Sequence, residues 1–277
     1  MIPIRDYRRS SHFPLVTVTL IIVNLLVFFY QSYLERKELV LNDARPWLAH
    51  GFETPPAFNP DTYRLHRLRG GDRLMYPVTA ADYFILQFGL ISGELLNRID
   101  LPPASPFPLI LTIFTSAFLH GGLLHLLGNM LYLWIFGDNV EDAMGRVKFF
   151  LFYLLCGVGA AAAQIFSGPP AAIPMIGASG AIAGVLGAYL VLFPRSQILT
   201  LIPIFFFIRL IYLPAILLLG LWFLLQIFSA AIGGAQAGGV AWLAHIGGFV
   251  VGILLVFGFK RRGFPVGLFD IWQSNRW

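Results

Sequence analysis

The chain has 277 residues, of which 57% are hydrophobic and 12% charged, with a mean hydropathy of +0.75. Soluble domains carry about 25% charged residues, so this composition excludes an ordinary soluble protein and puts most of the chain in lipid. The net charge of +5 does not indicate nucleic acid, because the Lys and Arg residues flank apolar stretches and form no patterned basic face.

The N-terminal segment 1–13 holds Arg5, Arg8 and Arg9. The apolar run after it has no small-residue cleavage site, so it reads as an uncleaved first span over 14–34. Five further spans are expected, at 119–137, 148–167, 177–194, 204–231 and 240–260, each judged against the roughly 20 residues a crossing helix needs. The long segment 35–108 carries Pro55-Pro56, Arg69-Gly70-Gly71-Asp72 and Pro102-Pro103. Its apolar stretch Tyr83–Leu90 is too short to span and is expected at the interface or packed on the protein. The lone cysteine, Cys156, excludes an intrachain disulfide and reads as a small core residue. Trp134, Trp222 and Trp242 read as packing or interface anchors, and Arg209 as a snorkelling residue near the inner end of the fifth span.

Positive charge sets the orientation. With the N-terminus inside, the inner segments hold Arg5, Arg8, Arg9, Arg146, Lys148, Arg195, Lys260, Arg261, Arg262 and Arg276, while the outer loops 168–176 and 232–239 hold no Lys or Arg. Both ends are therefore expected inside. The domains are then a segment 1–13, a membrane domain 14–260 with its extracytoplasmic loop 35–108, and a tail 261–277.

Polar groups at membrane depth are costly and mark function. Ser179 begins the fourth span, His245 lies near the start of the sixth, and His125 and Asn129 lie in the second. Counting from the inner ends, Ser179, His245 and His125 sit roughly 20–24 Å above the inner boundary of a core about 30 Å thick. Gly180, Gly184 and Gly187 share one face of span four, and His245, Gly248 and Gly252 share one face of span six. Small residues on both let the two helices approach closely and bring His245 to Ser179. Pro169, Pro170, Pro174 and Gly177 carry the chain down to Ser179, which then lies at a helix N-terminus suited to an oxyanion. His125 and Asn129, four residues apart, can add donors. No Asp or Glu lies between Asp142 and Asp270, so a Ser–His dyad is expected rather than a triad. His120, about 140° around the helix from His125, reads as a structural residue bracing a loop. No His-Glu-x-x-His pattern is present, and no metal is expected.

The run His120 to Asn129 (HGGLLHLLGN), Gly177-Ala-Ser179-Gly180, and His245 to Gly252 (HIGGFVVG) together resemble the rhomboid intramembrane serine proteases. The segment Trp134–Gly145 resembles their bacterial members. The resemblance covers roughly 14–260. It implies an all-α, six-helix bundle with a cavity opening outward. It implies Ser179 as nucleophile and His245 as general base and acid, with an oxyanion hole of Ser179 N–H, His125 and Asn129, and no cofactor. The implied partners are transmembrane protein substrates in a lipid bilayer, cut at small residues near helix-breaking sequence, and the expected location is a bacterial inner membrane. The chain departs from many members in lacking a Trp-Arg pair in its long outer loop, and neither a separate N-terminal domain nor a seventh span is expected. A non-enzymatic relative that escorts helices would lack the serine or histidine, and this chain has both. A transporter would want membrane carboxylates or inverted repeats, and neither is evident.

Overall fold

The computed structural model describes residues 1–8, 10–41, 76–204, 207–233 and 240–268. Pro55-Pro56, the segment Arg69–Asp72, Arg9, Arg276 and most of the loop 232–239 lie outside the described residues. The described chain is mostly helical and divides into two compact units.

The larger unit comprises 1–23, 122–167 and 178–277. It holds strand β1 (Ile2–Asp6) and the first part of helix α1 (Leu15–Leu34). It also holds α4 (Leu123–Met144), α5 (Arg146–Ile165), α6 (Ser179–Leu192), α7 (Ala215–Gly233) and α8 (Trp242–Phe259), with strands β4 (Gln197–Ile204) and β5 (Phe207–Pro214) between α6 and α7. The remaining strands and short helices belong to the other unit. Among the described residues, α1, α5, α7 and α8 are long and apolar enough to cross a membrane, and α4 with the helical turns before it makes a fifth candidate. Helix α6 has 14 residues, about 21 Å at 1.5 Å per residue, which is short for a crossing. It is buried along almost its whole length, packed by α4, α5, α7 and α8, so its neighbours shield its polar ends from lipid.

Long-range polar contacts tie the ends of these helices. The first turn of α1 leaves backbone N–H groups without helical partners. Glu141 of α4 fills them: its carboxylate accepts from Val16 N–H at 3.0 Å, and from Thr17 N–H and Oγ1–H, both at 2.8 Å. Glu141 and Thr17 are both buried. Gly145, at φ +84°, both ends α4 and starts α5, a conformation that favours glycine. Asp6 makes a second knot, accepting from Tyr189 Oη, from Ser196 Oγ at 2.8 Å and from Asn139 Nδ2 at 3.0 Å.

The fifth span begins later than the sequence suggests. Strands β4 and β5 pair antiparallel, and β1 pairs antiparallel with β4 to give a sheet in the order β1-β4-β5. A run rich in Ile, Leu and Phe reads equally as strand or buried helix by hydropathy. Pro203 and Pro214 oppose a helix, and pairing to β1 satisfies the backbone instead. Arg209 consequently lies in β5 opposite Ile202 and does not snorkel from a helix. Membership of Cys156 in the core is direct: it is fully buried.

The smaller unit comprises 24–121 and 168–177. Its hairpin of β2 (Glu38–Leu41) and β3 (Tyr76–Thr79) leads into α2 (Ala80–Phe88), started by a capping box in which Thr79 and Asp82 cap each other. Tyr83–Leu90 thus lies in and just after a packed helix. Helix α3 (Ser92–Asn97) follows, then helical turns over Leu109–Phe118. Leu90 and Met175 exchange backbone hydrogen bonds, and Ala171 N–H donates to Ser92 Oγ at 2.9 Å.

Glu94 of α3 is 3% exposed and accepts from Leu101 N–H at 3.1 Å. Burial pushes its carboxyl up to about 7 from 4.5, the Leu101 bond partly opposes this, and Asp100 adds to it. Between those values the unfolded chain has released the proton that the folded chain still holds, so stability falls as pH rises from about 4.5 through 7. Glu94→Gln keeps an acceptor oxygen for Leu101 and removes the ionisation. Thermal melts should show it matching the wild type near pH 5 and exceeding it at pH 8, by up to ~3 kcal/mol. A parallel pH dependence in both proteins would contradict this assignment of the carboxyl.

Candidate active site

Helices α6 and α8 touch backbone to backbone. A Cβ on Gly248 would lie 2.0 Å from the carbonyl oxygen of Gly180, one on Gly252 2.0 Å from that of Gly184, and one on Gly187 2.2 Å from that of Phe249. No side chain fits at such distances, so glycine is required at each. Gly180 and Gly184 are also pressed from α5, where added Cβ atoms would meet Ala160 Cβ at 2.6 Å and Cys156 Sγ at 2.4 Å.

This approach sets Ser179, the first residue of α6, beside His245, in the first turn of α8. His245 Nε2 lies 2.8 Å from Ser179 Oγ. Both side chains are half-buried. On the other edge of the imidazole, Nδ1 lies 2.8 Å from Oε1 of Gln226 on α7, and Gln226 Nε2–H donates to the Trp222 carbonyl at 3.2 Å. Gln226 is 6% exposed. The Trp222 and Trp242 rings flank His245 with centroids at 6.0 and 6.2 Å. Phe223 of α7 stacks on Phe249 of α8 at 4.4 Å, which seats α7 against the histidine. From α5, Gln164 Oε1 accepts from Ala244 N–H at 3.2 Å, capping the first turn of α8 one residue before His245.

His125 and Asn129 lie four residues apart on α4. His125 is exposed and Asn129 buried. His120 belongs to the smaller unit and is buried. Its backbone is bracketed by the side chain of Gln31: His120 N–H donates to Gln31 Oε1 at 3.1 Å, and Gln31 Nε2–H donates to His120 O at 3.3 Å. Gly177 has φ +116° and donates its N–H to Ser116 O at 2.9 Å within that unit. Among the described residues no three His, Cys, Asp or Glu side chains converge as a metal site would require.

Gln226, Gln164, Trp222 and Trp242 belong to this neighbourhood and are not picked out by the motifs. The glutamines do carry a sequence signal. Each is a polar side chain within a largely apolar helix, the criterion that singles out Ser179 and His245. A search restricted to carboxylates as histidine partners passes over them.

A model of the Rhomboid domain matches residues 109–262, more than half of the chain. The chain is similar to Rhomboid protein 1, mitochondrial, of Saccharomyces cerevisiae, with 34% identity over 152 residues that cover 52% of this chain and 40% of that protein. It is similar to Rhomboid-like protein 11, chloroplastic, of Arabidopsis thaliana, with 30% identity over 191 residues, 64% of this chain and 59% of that one. It shares 46% identity with Rhomboid protease GluP of Bacillus subtilis over 79 residues, 28% of this chain and 15% of that one. The chain thus spans less than two thirds of the length of each of these relatives.

Proposed function

Because the chain belongs to the rhomboid family of integral membrane proteins, we propose that it is an intramembrane serine endopeptidase that cuts transmembrane helices through a Ser179–His245 dyad. The 2.8 Å contact between His245 Nε2 and Ser179 Oγ is the observation that carries this reading.

The steps follow from the groups present. His245 Nε2 takes the Ser179 hydroxyl proton as Oγ attacks the scissile carbonyl carbon. The resulting oxyanion is met by Ser179 N–H, which as part of a helix's first turn has no intrahelical acceptor, and by the side chains of His125 and Asn129. The C–N bond then breaks, and the leaving amine takes the proton from His245. Water, deprotonated by the same nitrogen, hydrolyses the acyl-enzyme and restores Ser179. A substrate helix must unwind locally first, because its carbonyls are already hydrogen-bonded.

We propose lateral entry past α7. It is the least buried of the four long apolar helices, with Leu217, Leu224, Phe228 and Ile232 all exposed, and it borders the imidazole through Gln226. His120 has a loop-bracing role, supported by the Gln31 bracket. The charge distribution supports both ends facing inward, and the mitochondrial, chloroplastic and bacterial relatives do not single out a bacterial inner membrane as the setting. No metal or cofactor takes part in these steps.

Reconstitution in proteoliposomes with single-span substrates bearing small residues beside a helix-breaking sequence tests the reading. Wild-type protein should release two fragments cut within or at the edge of the span. Cleavage that persists in Ser179→Ala, or its absence in a folded wild type across a substrate panel, would overturn it.

A further inference from the structure

We propose that Gln226 is a positioning residue that fixes the tautomer of His245 as a neutral substitute for the carboxylate of a triad. The inference rests on the Ser179–His245 reading above and deepens it.

An imidazole can act as base toward Ser179 only when Nε2 is bare and the proton sits on Nδ1. Nothing intrinsic to histidine secures that arrangement, so a neighbour must. Gln226 does so through a chain of three contacts. Its side-chain amide has two ends, a carbonyl oxygen that accepts and an NH2 that donates. The Trp222 carbonyl, 3.2 Å from Nε2, is an acceptor only, so the NH2 end must face it. Oε1 therefore faces His245 Nδ1 at 2.8 Å, and an acceptor there holds the proton on Nδ1. The bare Nε2 is left 2.8 Å from Ser179 Oγ, ready to accept the hydroxyl proton. The reversed amide would donate to Nδ1, place the proton on Nε2 and disable the base.

Burial gives this arrangement its force. Gln226 is 6% exposed, so water does not compete for either end of the amide. The ring contacts from Trp222 and the Phe223–Phe249 stack hold α7 and α8 at the spacing the bond needs. An amide also suits the setting better than a carboxylate. It supplies the acceptor oxygen without the cost of burying a charge in an apolar bundle. During attack, when the imidazole becomes cationic, the same oxygen receives the Nδ1–H bond from a stronger donor.

The test uses the full chain in detergent with two variants and one measurement on the wild type. Gln226→Met keeps length and apolar volume but removes the acceptor. It should lower kcat on a transmembrane substrate, and the rate of inactivation by a fluorophosphonate, by about 10–100-fold, with KM changed less than about twofold. Gln226→Glu keeps an acceptor oxygen and should recover most of that loss. In the wild type, nitrogen-15 NMR of labelled histidine should show neutral His245 protonated on Nδ1. A merely structural glutamine would leave the kcat–KM split and the tautomer unmoved. Wild-type reaction at Ser179 together with unchanged kcat in Gln226→Met, or an Nε2-protonated His245 in the wild type, would overturn the inference alone. A wild type that does not react at Ser179 at all would instead sink the dyad on which it rests.

Discussion

His245→Ala should lower the rate of substrate cleavage about 10⁴-fold or more, and Ser179→Ala should lower it at least as far. The two effects are not additive: the double variant is no slower than either single one, because each removes the same nucleophilic step. The expectation follows from geometry. Ser179 Oγ has a base within reach, His245 Nε2 at 2.8 Å, and a serine hydroxyl without a base is a poor nucleophile. KM should change little, since the Trp222 and Trp242 rings that flank the imidazole and the exposed face of α7 are left in place. Steady-state cleavage in proteoliposomes measures this. A His245→Ala protein that retains a tenth of wild-type kcat would place the base elsewhere.

Gly252→Val has the largest expected structural effect. The added Cβ would sit 2.0 Å from the Gly184 carbonyl oxygen and 2.6 Å from its Cα. Those are backbone atoms of a fully packed helix and cannot rotate away. Helices α6 and α8 must part by more than an ångström, which carries Ser179 and His245 beyond hydrogen-bond range. Overpacking of this kind costs about 1–3 kcal/mol or more. The variant should melt lower and lose reactivity at Ser179. Gly258→Ala provides the contrast on the same helix, since nothing lies within 4 Å of a Cβ there. It should fold and react like the wild type. Equal melting of Gly252→Val and wild type would mean that the two helices do not depend on this contact.

The close pairing of α6 and α8 is legible in the sequence because small residues recur at helical spacing on both. It takes no more than that spacing to bring Gly180 against Gly248 and Gly184 against Gly252. The strands β4 and β5 are not legible in the same way. Their apolar length satisfies a span criterion, Pro203 and Pro214 argue against a helix, and the pairing of β4 with β5 and with β1, nearly two hundred residues away in the chain, decides for strand. The Thr79–Asp82 capping box is readable from its spacing, yet it falls in a segment dominated by Pro, Gly and charge. Gln226 is visible only as an odd polar residue in an apolar helix. Its meaning depends on α7 being seated against α8 by Phe223 and Phe249, a matter of tertiary packing that no local pattern encodes. Rise per residue alone places Ser179, His245 and His125 at one depth. It therefore works along the helix axis and says nothing about which neighbouring helix supplies the partner of Nδ1.

The most direct measurement is covalent labelling of the detergent-solubilised protein with a fluorescent fluorophosphonate, with intact-mass and peptide mapping of the adduct. It compares wild type, Ser179→Ala and His245→Ala. The account predicts one adduct per chain, located on Ser179, absent from Ser179→Ala and nearly absent from His245→Ala. An adduct on another residue, or labelling of Ser179 that does not depend on His245, would contradict it.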